Sequence, residues 1–202
     1  MKETIDGPAG PLELVVDTPA GPPRALAIVC HPHPLYGGSL DNKVVHQMAR
    51  TFTELGAVAV RFNFRGVGAS AGSFDEGRGE TDDLLAVADW ARGRWSGLPL
   101  WLAGFSFGAW VALRAAPVLH PDWLVTVAPP VNLYDVPAPA DPGLRWLLVQ
   151  GSADDVVPAD AVSEWVQRLQ QPPETVLLEG AGHFFHGRLN ALRQVLAERA
   201  PV

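Results

Sequence analysis

The chain has 202 residues, of which 48% are hydrophobic and 18% charged, against roughly 25% charged in an average globular domain. That much apolar surface supports a core for one α/β domain spanning 1–202 and excludes global disorder. The 15 basic and 22 acidic residues give a formal charge of −7 with no Lys/Arg stripe, which argues against a nucleic-acid partner.

The longest clean apolar run, Ala25 to Cys30, is far shorter than the about 20 residues of a membrane-spanning helix or the roughly 7 to 15 of a signal-peptide core. The first residues are polar and Cys30 is the single cysteine. The expectation is therefore a cytoplasmic protein with no disulfide framework and no membrane association. One cysteine and six dispersed histidines supply no ligand pairs for a structural metal site.

In chain order, short apolar or β-branched runs predict strands over 12–17, 24–30, 57–63, 99–104, 123–128, 144–150 and 175–179. Helical patterns predict helices over 41–55, 80–94, 107–116, 158–170 and 188–200. Asp41 and Thr81 are the expected N-caps, Gly56 the stop of the first helix and Pro117 the end of the third. Alternation of this kind predicts a mostly parallel twisted sheet of about seven strands with helices on both faces and its site at the carboxyl ends of the strands. The longest irregular stretch, 129–142, carries Pro129, Pro130, Pro137, Pro139 and Pro142. It is too short and too rich in proline to build a lid domain.

The strand over 99–104 runs into Gly104-Phe105-Ser106-Phe107-Gly108 and then into a helix, the strand–turn–helix context that a G-x-S-x-G nucleophile requires. Small residues two before and two after the serine let strand and helix pass without collision, and a helix N-terminus favours an oxyanion nearby. A serine hydroxyl needs a general base and a third group to orient that base. Asp154 follows the strand over 144–150 and His183 follows the strand over 175–179, so the order Ser106, Asp154, His183 is that of α/β-hydrolase triads. Motif position favours Asp154 over Asp155, with the other carboxylate capping the helix near Pro158, and His183 over His186.

These three motifs, Gly104–Gly108, Gly151–Pro158 and Gly182-His183-Phe184, identify the chain as similar to the α/β-hydrolases. Two further stretches, His31-Pro32-His33-Pro34-Leu35-Tyr36-Gly37-Gly38 and Asn63-Phe64-Arg65-Gly66-Val67-Gly68-Ala69-Ser70, resemble small lidless bacterial members related to the dienelactone hydrolases. The nucleophile of those enzymes is cysteine, whereas this elbow holds Ser106. The resemblance implies the α/β-hydrolase fold without a lid and an oxyanion hole made by the backbone N–H of Phe107 and one from the loop after the strand over 24–30. Proline has no N–H, which removes Pro32 and Pro34; similarity to the His-Gly-x pattern of relatives points to His33, with Leu35 in reserve. The side chains of His31 and His33 are expected to brace that loop by hydrogen bonds, and Arg65-Gly66-Val67-Gly68 to be a structural turn, since its spacing fits no phosphate loop.

Leu35, Tyr36, Phe105 and Phe184 lie beside these positions in sequence and are the expected substrate pocket. The resulting expectation is a serine carboxylesterase that acts on small soluble esters through an acyl-enzyme and needs no cofactor. A lactone, thioester or short-peptide hydrolase would use the same triad. A non-catalytic binding protein on this scaffold would have no need of all three groups. Oligomeric state is not legible from the sequence.

Overall fold

In the computed structural model, which describes residues 2–201, the apolar runs become strands because their residues can be buried on both faces at once. Eight strands form one sheet: β1 (Lys2–Gly7), β2 (Gly10–Asp17), β3 (Ala25–Cys30), β4 (Ala57–Phe62), β5 (Leu100–Phe105), β6 (Trp123–Val127), β7 (Arg145–Gly151) and β8 (Glu174–Leu178). The spatial order is β1-β2-β4-β3-β5-β6-β7-β8. Pairing is antiparallel for β1–β2 and β2–β4 and parallel from β4 to β8. Every residue of β3, β4, β5 and β6 is buried, as expected of parallel strands covered on both sides.

Five α-helices provide the cover: α1 (Lys43–Glu54), α2 (Arg78–Arg94), α3 (Phe107–Leu119), α4 (Ala159–Gln167) and α5 (Leu189–Arg199). Alternation along the strands divides the core in two. Leu26, Ile28 and Cys30 of β3 pack with Leu84 and Val87 of α2 and Val111 and Ala115 of α3, whereas Ala25, Ala27 and Val29 pack with Met48 and Phe52 of α1 and Leu192 and Leu196 of α5. Each fully buried Leu, Ile or Phe contributes about 1.5–3 kcal/mol. Among the described residues, no helix is long and apolar enough to cross a membrane.

Several expectations need correction. The sheet has eight strands because β1, Lys-Glu-Thr-Ile-Asp-Gly, pairs at the edge with only Ile5 buried, so it shows no apolar run. The cap of α1 is Asn42, one residue after Asp41, since its Oδ1 accepts from the N–H groups of Val44 and Val45 at 2.9 and 3.4 Å. Helix α2 starts before Thr81, whose hydroxyl donates to the Gly77 carbonyl at 2.6 Å; the buried Glu80 carboxylate instead accepts from the Asp75 and Gly77 N–H groups. Pro117 sits inside the last turn of α3, where it forfeits a single N–H, and the helix runs on to Leu119.

The segment between β6 and β7, residues 128–144, forms no helix and no strand, so there is no lid. All the parallel strands end at one rim, and the loops after β3, β5, β6, β7 and β8 meet there.

Candidate active site

The serine is placed by the junction of β5 and α3. Ser106 has φ 54° and ψ −120°, a conformation L-residues seldom adopt, at a cost of about 1–3 kcal/mol. Packing around it holds it there. A Cβ on Gly104 would lie 2.1 Å from the Gly108 carbonyl oxygen, and one on Gly108 would lie 2.4 Å from the Cys30 carbonyl oxygen, so backbone meets backbone on both sides of the turn. The Ser106 N–H donates to the Val127 carbonyl at 2.8 Å, which ties the turn to β6.

The acid follows β7. One oxygen of the Asp154 carboxylate accepts from the Val156 and Val157 N–H groups at 2.9 and 2.7 Å, and the other from Gln150 Nε2 at 3.2 Å and from the His183 ring at 2.8 Å. Burial alone would raise the pKa of Asp154, but the hydrogen bonds from His183, Val157 and Val156 outweigh it and hold the carboxyl below the ordinary carboxylate range. Asp155 is exposed, and α4 is capped by Pro158. The expected division of labour between the two carboxylates is thus corrected: Asp154 both meets the histidine and binds its own loop's N–H groups.

The histidine follows β8. Phe185, with φ 52°, drives its ring into the core beside Leu192, and the turn Gly182–Phe185 is closed by the Phe185 N–H on the Gly182 carbonyl at 3.0 Å. His183 is thereby turned inward against Phe105, at 5.1 Å between rings, while His186 is exposed. His183 Nδ1 lies 2.8 Å from Asp154 Oδ2 and Nε2 lies 3.1 Å from Ser106 Oγ. An ionised carboxylate accepts only, so it assigns the ring proton to Nδ1 and leaves Nε2 free to accept from the serine hydroxyl.

The loop after β3 is braced by its histidines. His31, fully buried, has Nδ1 2.6 Å from the Pro32 carbonyl, and its Nε2 accepts from the Phe64 N–H at 3.1 Å. Burial lowers its pKa to about 4, so the ring is neutral. His33 Nδ1 accepts from the Leu35 N–H at 3.2 Å. That bond engages Leu35, whereas the N–H groups of His33 and Phe107 donate to no other described residue. The Arg65 turn stands behind the loop: Asp83 takes the guanidinium at 3.0 and 2.8 Å and the Arg65 N–H at 2.9 Å, which leaves no cation free for phosphate.

Ser106 and His183 open into a cavity of about 510 Å³ lined also by Pro32, His33, Tyr36, Gly37, Gly38, Asn42, Phe107, Pro130, Leu133, Tyr134, Val156 and Phe184. Of the four expected pocket residues, Tyr36 and Phe184 line it. Leu35 points to solvent on the far side of its short 3-10 turn, Pro34–Tyr36, and Phe105 is completely buried beneath His183 on the α1/α5 face. Neighbouring positions in a strand or tight turn face opposite ways, so adjacency to a catalytic position was a poor guide. Sequence reasoning missed Asn42, Pro130 and Val156 in this lining and Gln150 behind Asp154. Trp110, 7% exposed, packs in the core and also stacks on Tyr134 at 4.3 Å, with its Nε1 donating to the Asp135 carbonyl at 3.1 Å.

The sequence profile of the X-Pro dipeptidyl-peptidase (S15) family matches residues 12–140. Among solved structures, the chain is similar to XC6422 from Xanthomonas campestris, described as an α/β serine hydrolase without a lid: 49% identity, TM-score 0.92, covering 98% of this chain and 92% of that one. It is similar also to an α/β serine hydrolase homologue from Coxiella burnetii, at 44% identity and TM-score 0.92 over 100% of this chain and 97% of that one. An uncharacterised protein of Rickettsia prowazekii is 36% identical over 90% of this chain and 80% of its own length.

Proposed function

The chain belongs to the S15 family and to the lidless α/β serine hydrolases, and from that premise we propose that it is a carboxylesterase acting on small, neutral esters. The observation that carries this reading is the unbroken relay Ser106–His183–Asp154 at the floor of a cavity whose lining contains no Lys, Arg, Asp or Glu.

Ser106 Oγ attacks the ester carbonyl carbon while its proton passes to His183 Nε2. The carbonyl oxygen, now an oxyanion, is held by the N–H groups of Phe107 and His33. His183 then returns the proton to the alcohol oxygen, the C–O bond breaks and the alcohol leaves an acyl-Ser106 enzyme. Water, deprotonated by His183, attacks that acyl carbon and releases the acid, and the proton goes back to Ser106. Asp154 orients the imidazole and stabilises its charged form throughout. No cofactor enters these steps.

The name of the matching family favours a second reading, cleavage of X-Pro dipeptides from a peptide N-terminus. Such a substrate carries an α-ammonium, and burying it requires an anionic partner. The uncharged lining offers none, which favours esters. A fluorophosphonate probe should label the folded protein on Ser106, and p-nitrophenyl butyrate should be turned over far faster than Ala-Pro-p-nitroanilide. Faster cleavage of the anilide would replace the esterase reading with the peptidase one.

A further inference from the structure

Aromatic rings crowd one wall of the Ser106 cavity. The chain has two tyrosines, and both line this cavity from different loops, Tyr36 after β3 and Tyr134 after β6. Ring contacts join them: Tyr36 to His33 at 4.7 Å, His33 to Phe107 at 4.9 Å and Phe107 to Tyr134 at 6.2 Å, with Trp110 stacked behind Tyr134. Tyr134 is therefore backed by a buried indole, which keeps it in place as a rigid surface.

This wall lies on the face of the sheet covered by α2 and α3, whereas His183 packs against Phe105 on the face covered by α1 and α5. That division decides which half of an ester meets the rings. The alcohol oxygen must approach His183 Nε2 to receive its proton, and the carbonyl oxygen must approach the Phe107 and His33 N–H groups. The remaining substituent of the carbonyl carbon, the acyl group, is directed away from His183 and onto the aromatic wall.

We infer that the acyl group of the preferred substrate carries a flat, uncharged aromatic ring that lies against Tyr36, His33 and Tyr134. Offset or edge-to-face contact between rings adds an attraction beyond area burial, enough for about a two- to twelvefold preference over a saturated ring of the same size. The absence of any charged side chain from the lining disfavours an ionised substituent on that ring. The inference rests on the esterase reading and adds to it the class of acid released.

The test compares p-nitrophenyl phenylacetate with p-nitrophenyl cyclohexylacetate. The two share leaving group and carbon count, and a methylene insulates the carbonyl from the ring. With kcat/KM of each divided by its hydroxide-catalysed rate, the aryl ester should be favoured about two- to twelvefold. Tyr134→Leu should bring that ratio close to one, whereas Tyr134→Phe should keep it. A ratio of one or below in the unmodified protein, or a ratio that Tyr134→Leu leaves intact, overturns the inference. Turnover of p-nitrophenyl acetate and fluorophosphonate labelling of Ser106, measured on the same samples, separate the two levels. A labelled, active enzyme without aryl preference removes only the aromatic acyl group, whereas loss of both signals in the unmodified protein removes the esterase reading beneath it.

Discussion

The turn that carries Ser106 and the loop over residues 128–144 both leave the carboxyl ends of neighbouring strands, yet they are built in opposite ways. In the turn, backbone touches backbone through Gly104 and Gly108, and a strained residue is held by its N–H bond to Val127. Beyond Ala128, whose N–H donates to the Val149 carbonyl at 3.0 Å, the loop is held mainly through side chains: Val136 in the core, Trp110 stacked on Tyr134 and bonded to the Asp135 carbonyl, and Asn132 on the Val156 carbonyl at 3.0 Å. Leu133 stands 58% exposed at its crest. The contrast separates two tasks. The reaction is assigned to a turn closed by backbone contact, and selection of the substrate in part to a loop held mainly by side chains.

The largest effect expected from this division is at the turn's centre. Ser106→Ala should lower kcat for any ester by about 10⁴ to 10⁶ while the unfolding midpoint holds or rises, since the mutation removes the nucleophile and leaves the packing intact. Retained turnover would place the nucleophile elsewhere. Next comes the acid. Asp154→Asn should cost roughly 10⁴ in kcat because the histidine tautomer is no longer enforced. Asp155→Asn, at an exposed position, should change stability by no more than about 0.5 kcal/mol and leave kcat near its starting value. The opposite ranking in steady-state assays would reassign the acid.

A pair of glycines sharpens the comparison without touching chemistry. Gly108→Ala drives a methyl to within 2.4 Å of the Cys30 carbonyl oxygen and should destabilise by about 3 kcal/mol or more. In the loop, a Cβ on Gly143 would meet only Asp141 Oδ1 at 3.4 Å, so Gly143→Ala should be neutral or stabilise by about 0.4–1 kcal/mol. Equal costs in urea unfolding would erase the distinction between the two regions.

His31 makes a related prediction in pH. Its folded pKa of about 4 lies below the ordinary 6.5 because of burial, so between those values the unfolded chain binds the proton and the folded one does not. Its contribution is fully present above pH 6.5 and is lost as pH falls toward 4, about 3 kcal/mol in all. Urea unfolding at pH 7 and 4.5 should show most of this loss, about 2 kcal/mol, in the unmodified protein and a correspondingly flatter dependence in His31→Gln. Parallel curves would mean that the ring is protonated without penalty. The smallest effect belongs to the loop. With no lid to cover a long chain, each added methylene gains less than the about 0.8 kcal/mol of full burial, so kcat/KM on straight-chain p-nitrophenyl esters should peak at about two to six acyl carbons. Efficiency rising to twelve carbons would show that Leu133 and its neighbours provide cover after all.

What could be read in the sequence follows the same division. The three residues of the relay were legible because each follows a strand through a turn in which a glycine is required: Gly104 and Gly108, where a Cβ would meet backbone, around Ser106; Gly151, where it would lie 2.3 Å from the Ala181 carbonyl oxygen, before Asp154; and Gly180, with φ 66°, before His183. Strands β3 to β6 were legible because burial on both faces leaves an unbroken apolar run, and β8, though none of its residues is buried, because Val176, Leu177 and Leu178 stand together. Strand β1 was not, because an edge strand with one buried residue looks like a polar terminus. The cavity lining was legible only in part. Asn42, Pro130 and Val156 reach it from α1 and the loops after β6 and β7, and nothing in sequence spacing registers a meeting of segments so far apart. Leu35 and Phe105 were misplaced because proximity along the chain says nothing of the side to which a side chain turns.

The two ends of the sheet bear on what the protein does when crowded. At one border stands β1, six residues with Lys2, Glu3 and Asp6; at the other stands β8, five residues entered through Pro172 and Pro173 and headed by Glu174, which pairs with Arg199 at 2.7 Å. An open sheet offers unpaired backbone groups at both borders to any passing strand, and self-templated stacking grows from such edges. Here an incoming strand would have to strip water from carboxylates or pair with prolines that have no hydrogen to give. Short, charged borders thus act as terminators, and a concentrated solution of the folded protein should resist ordered aggregation even though four of its inner strands, once exposed by unfolding, are among the most adhesive segments of the chain.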